Sequence, residues 1–206
     1  GVPARSLEHR PERNSEWLAA LGLSVPMVSD YLPLEADPVE LRRRMFALAR
    51  LARRWQARKI RTFAGSKASR LTGEEERRLI AARLRELSAL AADHGLSLLA
   101  ETHPNTLADC GPSTLRLIEE VGHAAFGINF DTLHVWEGGD DPVAFHRIVR
   151  PHVRHYHFKN IRRRADLSVF EPANVYAPAG RRDGMTRLFE GALDYGPFLR
   201  ELSGDD

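Results

Sequence analysis

The chain has 206 residues, of which 43% are hydrophobic and 28% are charged, a composition typical of a globular protein with one core. Its net charge of +2 gives no argument for a nucleic-acid or anionic membrane partner. The single Cys110 excludes an intrachain disulfide, and no apolar run reaches the ~20 residues of a membrane span. We therefore expect one domain over residues 1–206, located in the cytoplasm, without a nucleic-acid or membrane partner.

Short apolar segments alternate along the chain with longer stretches of helical period, which predicts an α/β fold with a parallel sheet. The strand candidates are residues 23–31, 59–65, 96–103, 127–134 and 153–160. Most residues between these segments form helix candidates.

Several helix starts carry recognisable capping residues. Asp37 and Asp141 each precede a proline, which predicts an N-cap followed by proline in the first helical turn. Thr72 with Glu75 fits a capping box, and Gly95 is expected to end the helix that begins there. The basic and apolar residues of 41–55 alternate at helical spacing, which favours an outer helix with a solvated basic face over a nucleic-acid surface.

Each strand candidate changes from apolar to polar residues at its C-terminal end. In a (β/α)8 barrel the catalytic residues lie at that end of several strands. For any one strand a surface loop is the better explanation of the change, but five in succession favour a barrel. Such barrels take ~250 residues, so we expect a barrel that is incomplete at both ends. Segment 161–190 is rich in Arg, Pro, Gly and Ala, and is predicted to be a long functional loop.

Metal-type ligands follow three of these strands: Glu101, then Asp131 with His134, then His157. Carboxylates with an imidazole suit a divalent ion such as Mn²⁺ or Mg²⁺, or Zn²⁺. The spacing alone is weak evidence, because any α/β protein scatters acids and histidines at such intervals. His157 on its own is better explained as a hydrogen-bonded core histidine. Their shared position at strand ends favours a site.

Groups suited to carbonyl chemistry accompany these ligands. His103 follows the first acid by two residues and Lys159 follows the last histidine by two, which places each on its ligand's face of an extended chain. A metal with an ammonium group polarises a carbonyl, and an imidazole can remove the adjacent proton. Arg61 and Tyr31 end two other strands, where they could bind an anion and a hydroxyl. Taken singly, they are better explained as a surface loop arginine and a packing aromatic, respectively.

A Glu, an Asp-x-x-His and a His-x-His-x-Lys on consecutive strands resemble the xylose isomerase-like barrel superfamily of sugar isomerases, epimerases and a DNA-repair endonuclease. A more specific resemblance is to the bacterial 3-dehydroshikimate dehydratases, which make protocatechuate for catechol siderophores such as petrobactin. It extends from about residue 23 onward, through the segments SDYL, KIRTFAG, ETHPNTLAD, GINFDTLHVWEGGDDP, HYHFKNI, VFEPANVYAPAGRRDGM and LFEGALDY.

The resemblance implies a hydro-lyase that converts 3-dehydroshikimate to protocatechuate with a divalent metal, for which Mn²⁺ is expected and Mg²⁺, Co²⁺ or Zn²⁺ are alternatives. The metal ligands that it implies are Glu101, Asp131 and His157. The catalytic residues that it implies are His103, His134 and Lys159. The remaining pocket residues that it implies are Tyr31, Arg61, Phe170 and Tyr176.

Two departures from the family pattern shape our expectations. The family carries a further metal-binding Glu, in a Leu-Glu-Trp context, on its last strand, and this sequence ends before such a strand. The family's first strand and most or all of its second have no counterpart here. We expect lower metal affinity and stability without these parts, and open strand edges that invite homo-oligomers. A sugar or sugar-phosphate isomerase or epimerase and a non-catalytic remnant remain alternatives, whereas an endonuclease would need more metal ligands and a basic face.

Overall fold

The computed structural model of the protein describes residues 14–175, 177 and 179–204. Within these residues, five parallel strands form one sheet in chain order, and two further strands form a short antiparallel pair. The strands are β1 Val28–Ser29, β2 Lys59–Thr62, β3 Ser97–Glu101, β4 Phe126–Asp131, β5 Val153–His157, β6 Asn160–Ile161 and β7 Met185–Thr186. The predicted α/β fold with a parallel sheet is confirmed.

Helices connect the successive parallel strands. The α-helices are α1 Ser15–Ala20, α2 Pro38–Arg54, α3 Glu74–Asp93, α4 Gly111–Val121, α5 Thr132–Gly138, α6 Pro142–Val149, α7 Pro172–Val175 and α8 Gly196–Ser203. Single 3₁₀ segments cover Ser69–Leu71, Arg150–His152 and Arg164–Phe170. No helix in the described part of the chain is long and apolar enough to cross a membrane.

The main core lies between one face of the sheet and the helices. Strand residues Ile60, Leu98, Ile128 and Phe130 are fully buried there. Helix α2 contributes the apolar stripe of its amphipathic sequence, as predicted, and α3, α4, α6 and α8 add further buried side chains. Because strand side chains alternate between faces, the other residues of each strand point to the opposite side of the sheet.

The predicted N-caps at Asp37 and Asp141 are confirmed. Asp37 Oδ1 accepts hydrogen bonds from the first-turn amides of α2, and Asp141 Oδ1 accepts one from Ala144 N at 2.7 Å. The capping box at Thr72 is wrong: Gly73 is the N-cap of α3. The Thr72 hydroxyl instead donates to Ala68 O at 3.0 Å, because it closes the preceding 3₁₀ turn.

The register between β4 and β5 contains a bulge at Arg154. Val153 pairs with β4 before the bulge, and Asp131 pairs with His157 after it. Gly127 makes room for the extra residue, since a Cβ there would lie 3.0 Å from His152 O. A one-residue slip exchanges the faces of a strand, so the bulge decides which way His157 points.

Segment 161–190 is more structured than the predicted loop. It contains one 3₁₀ segment, α7 and β7, and β7 pairs with β6. The Asn160 side chain fixes its return by donating to Leu188 O and Leu193 O, and Gly191 leaves space for that amide. A second apolar cluster beneath the segment consists of Leu133, Ile161, Val169, Phe170, Leu193 and Tyr195.

Candidate metal and substrate site

Three side chains of metal-ligand type converge at the carboxyl edge of the sheet. Glu101, Asp131 and His157 are the last residues of β3, β4 and β5. Because neighbouring parallel strands end at one edge, one ligand atom from each residue lies within 4.8 Å of the others. Both carboxylates are buried, and water therefore screens their mutual repulsion poorly.

His157 bridges the two acids. Its Nδ1 lies 2.6 Å from Glu101 Oε1 and 3.6 Å from Asp131 Oδ2. Burial lowers the pKa of His157, but its hydrogen bonds to the two carboxylates outweigh burial and raise the pKa to about 9. A proton thus lies between the acids, in the position that suits a cation, and metal binding requires its release.

The pKa values of both carboxyl groups are lowered despite burial. Burial raises the pKa of Asp131, but the neighbouring His134 and Lys159 lower it by more. For Glu101, burial is outweighed by the hydrogen bond from His157 and by the charge of Arg61. Two ionised carboxylates and one imidazole form a donor set that fits a divalent cation.

Asp131 uses its two oxygens differently. Oδ1 accepts from His134 N at 3.2 Å and caps α5, whereas Oδ2 forms an ion pair with Lys159 Nζ at 2.9 Å. The capping oxygen fixes the carboxylate, and the other oxygen faces the candidate metal ligands.

Lys159 lies just beyond β5, and both its backbone and its ammonium group have fixed partners. The Tyr195 hydroxyl accepts from Lys159 N at 3.2 Å and donates to Lys159 O at 2.8 Å. The ammonium lies 2.8 Å from His134 Nε2 and 4.8 Å from the ring centre of Phe170. The lysine is therefore oriented before any ligand arrives.

His134 differs from the prediction in its secondary structure. The sequence places it at the end of a strand as a metal-type ligand, but it lies in α5, because Asp131 ends β4 by capping that helix. Its Nε2 faces Lys159 rather than the cluster of the three candidate ligands.

His103 packs beside His134 with a defined tautomer. Its ring centre is 4.1 Å from that of His134 and 4.3 Å from that of Phe63. His103 Nδ1 lies 2.8 Å from Pro104 O, which can only accept, so Nδ1 carries the proton and Nε2 keeps its lone pair. Burial and the neighbouring His134 lower the pKa of His103 to about 4, which keeps the ring neutral.

Arg61 and Tyr31 reach the same region from β2 and from the segment after β1. The buried Arg61 Nε lies 3.2 Å from Glu101 Oε2, and its guanidinium carbon is 5.2 Å from the ring centres of Tyr31 and Phe63. A cavity of about 500 Å³ borders Tyr31, Phe63 and His103. Tyr176 lies outside the described residues.

Three residues of the site were missed by sequence reasoning. Phe63 packs between Tyr31 and His103, and Asn129 Nδ2 lies 3.1 Å from His157 Nδ1. Glu137 Oε2 lies 2.6 Å from His134 Nδ1. Asn129 could have been found as the residue two before Asp131 on the same strand face.

The polar side chains gather at the carboxyl ends of the parallel strands. Active sites of α/β barrels lie in the same position. The chain belongs to the xylose isomerase-like TIM barrel family, whose family model matches residues 4–206.

Two named relatives indicate which branch of the family this chain resembles. The chain is 46% identical over 197 residues to the 3-dehydroshikimate dehydratase of Bacillus anthracis, covering 95% of this chain and 70% of that protein. The crystal structure of the probable 3-DHS dehydratase AsbF, involved in petrobactin synthesis in the same organism, matches with a TM-score of 0.90 and 44% identity, covering 98% of this chain and 76% of that one. The predicted resemblance to this branch is confirmed.

A more distant structure shares the fold. A xylose isomerase-like TIM barrel protein from Mycobacterium smegmatis, in complex with magnesium, matches with a TM-score of 0.65 and 20% identity, covering 98% of this chain and 69% of that one. At this identity the match supports the fold alone.

Proposed function

We propose that this protein dehydrates 3-dehydroshikimate to protocatechuate, using a divalent metal held by Glu101, Asp131 and His157. The observation that carries the proposal is the convergence of these three ligands beside Lys159, in a chain 46% identical to a named 3-dehydroshikimate dehydratase. A bound divalent ion would polarise the ketone oxygen of the substrate and make the neighbouring C–H more acidic.

Lys159 stabilises the negative charge that develops on this oxygen. Its ammonium has three donors, and its contacts with Asp131 and His134 orient it towards the candidate metal ligands. An oriented ammonium costs little reorganisation when charge develops, which is the usual source of electrostatic catalysis.

His103 is the proposed base. Because its Nδ1–H is directed to Pro104 O, its Nε2 lone pair accepts the proton from the carbon beside the ketone. The hydroxyl on the next carbon then leaves as water, taking up the proton that His103 has accepted, so the base is returned to its neutral form. Tautomerisation of the ring gives the aromatic product. The substrate loses one water in total and no oxidant is consumed.

The remaining predicted residues form the proposed substrate pocket. Arg61 and Tyr31 line it on the β1–β2 side, and His134 and Phe170 line it beside Lys159. We assign Tyr176 to the same pocket from the family resemblance.

The proposal is tested with metal-free protein reconstituted with Mn²⁺ and incubated with 3-dehydroshikimate. We expect catechol absorbance to appear, and chromatography to identify protocatechuate. Lys159→Met should lower kcat by at least ~100-fold because the developing oxyanion loses its donor. Lys67→Met, at an exposed lysine paired with Glu76, is the matched control and should keep full activity.

Metal content distinguishes failure of the chemistry from failure of loading. A protein that binds one equivalent of metal and forms no protocatechuate would refute the proposed reaction. Parallel reconstitution with Mg²⁺, Co²⁺ and Zn²⁺ tests the assignment of Mn²⁺, for which we expect the highest kcat.

A further inference from the structure

Helix α5 carries one acid, Glu137, whose carboxylate contacts the site residue His134. His134 and Glu137 lie one turn apart, and Glu137 Oε2 is 2.6 Å from His134 Nδ1. On its other side, His134 Nε2 is 2.8 Å from Lys159 Nζ. The imidazole thus connects Glu137 to the proposed catalytic lysine.

The donor and acceptor types of this chain determine the tautomer of His134. An ammonium group only donates, so His134 Nε2 facing Lys159 must be the acceptor. The ring proton of a neutral His134 then lies on Nδ1, where the Glu137 carboxylate accepts it. Without that acceptor, only the contact with Lys159 would favour this tautomer, and the buried Nδ1–H would lose its partner.

We propose that Glu137 is a positioning residue that holds His134 as the Nδ1–H tautomer, so that Nε2 receives and orients the Lys159 ammonium. Glu137 acts through His134: within the described residues its carboxylate contacts that ring, and it is not one of the three candidate metal ligands. The effect on turnover rests on the proposed function, whereas the tautomer does not.

An ordinary surface pair between residues three apart on a helix would stabilise that helix only slightly. This pair differs because the His134 side chain is only 3% exposed, whereas that of Glu137 is 27% exposed. A buried ring nitrogen without a partner is costly, so the carboxylate satisfies a donor that water reaches poorly.

The protein also fixes the backbone that carries Glu137. Arg164, from the 3₁₀ segment after β6, donates to Glu137 O at 2.9 Å and to Trp136 O at 2.7 Å. Its guanidinium carbon lies 4.1 Å from a ring centre of Trp136. The last turn of α5 is therefore held by these contacts, and the partly exposed side chain can be replaced without opening the core.

The experiment uses the full chain labelled with ¹⁵N-histidine, in its metal-free form. Long-range ¹H–¹⁵N spectra report which ring nitrogen of His134 is protonated, and the His134→Gln spectrum assigns its signals. We expect the Nδ1–H tautomer in the unmodified protein and in Glu137→Gln, whose amide oxygen can still accept. Glu137→Ala should shift His134 towards a mixture or towards Nε2–H.

Kinetics of the Mn²⁺-loaded protein provide the second readout. Glu137→Ala should lower kcat by about 10- to 100-fold, with KM and metal affinity nearly unchanged, and Glu137→Gln should recover much of that loss. Glu190→Ala is the control, since Glu190 is exposed and pairs with Arg187.

An Nε2–H tautomer in the unmodified protein, or an unchanged tautomer in Glu137→Ala, would overturn the positioning role. So would an active protein whose kcat is unaffected by Glu137→Ala. If the tautomer responds as expected but no protocatechuate forms, the proposed function fails while Glu137 keeps its assignment to His134.

Discussion

Two groups of buried charges in this protein are organised differently. The site cluster joins Glu101, Asp131, His157 and Lys159 at the carboxyl edge of the sheet. The second cluster surrounds Arg77, where α3 packs on α4. Both remove charges from water, but only the first gathers two carboxylates around one imidazole.

Arg77 has partners for each of its guanidinium nitrogens. Nε donates to both Glu120 oxygens at 2.8 and 3.1 Å, Nη1 to Ser113 Oγ at 3.0 Å and Nη2 to Ser113 O at 3.0 Å. A guanidinium stays charged at any physiological pH, so the positive charge of Arg77 cannot be released to make room for a metal ion. In the site cluster the positive charge of His157 is a proton, which the proposed divalent ion would replace. The Arg77 cluster therefore holds two helices together, whereas the site cluster has the composition of a candidate metal site.

The largest expected effect is on metal affinity. His157→Ala removes the bridging imidazole, and we expect Mn²⁺ to bind at least ~1,000-fold more weakly, or ~4 kcal/mol, because two carboxylates remain without their third ligand. Isothermal titration calorimetry of the metal-free protein measures it. His94→Ala, at an exposed histidine, is the control for non-specific binding. Unchanged stoichiometric binding by His157→Ala would contradict the ligand assignment.

A smaller effect is expected from the helix cluster, and on a different property. Arg77→Met leaves the partly exposed Glu120 and the buried Ser113 without their shared partner, and should lower the free energy of unfolding by about 2–4 kcal/mol. Urea unfolding measures the loss. Mn²⁺ affinity should stay within a factor of about two, since distant sites behave independently. A large change in metal affinity would mean that the two clusters are coupled.

The smallest expected effect is on the pH dependence of stability. It concerns the buried His146, which has one neighbouring carboxylate, Glu201, whereas His157 has two. Burial lowers the pKa of His146 despite the opposing effect of Glu201, and Arg150 lowers it further; His146 Nε2 also lies 2.8 Å from the Tyr156 hydroxyl. His146 therefore binds a proton more weakly in the folded protein than in the unfolded chain. His146 should make the protein less stable as pH falls below about 6.5, the ordinary pKa of histidine.

Urea unfolding of metal-free protein between about pH 7 and about pH 5 tests this sign. His146→Gln should lose less stability over that range than the unmodified protein. The opposite order would mean that the nearby carboxylate outweighs burial at His146, as the two acids do at His157.

The convergence of the three candidate ligands could be predicted from the sequence, because barrel strands place their last residues at one edge. Glu101, Asp131 and His157 needed only correct strand ends. Glu137 could not be found, because residues 127–134 were assigned to one strand. Once Asp131 starts a helix, His134 and Glu137 become neighbours three residues apart.

The errors elsewhere have equally local causes. Thr72 has the residue type of an N-cap, yet its hydroxyl is used by the preceding turn, and this competition is invisible in a capping pattern. Strands β6 and β7 have two residues each, too few for an alternating pattern. Their pairing depends on Asn160, whose contacts reach about thirty residues ahead.

The two oxygens of Asp131 restrict which side chains position 131 can accept. One oxygen caps α5 and the other faces Lys159. Asparagine would keep the cap and lose the charge, whereas glutamate would keep the charge and carry it one methylene too far for the cap. In a saturation mutagenesis experiment, position 131 should therefore tolerate neither its closest isostere nor its closest homologue.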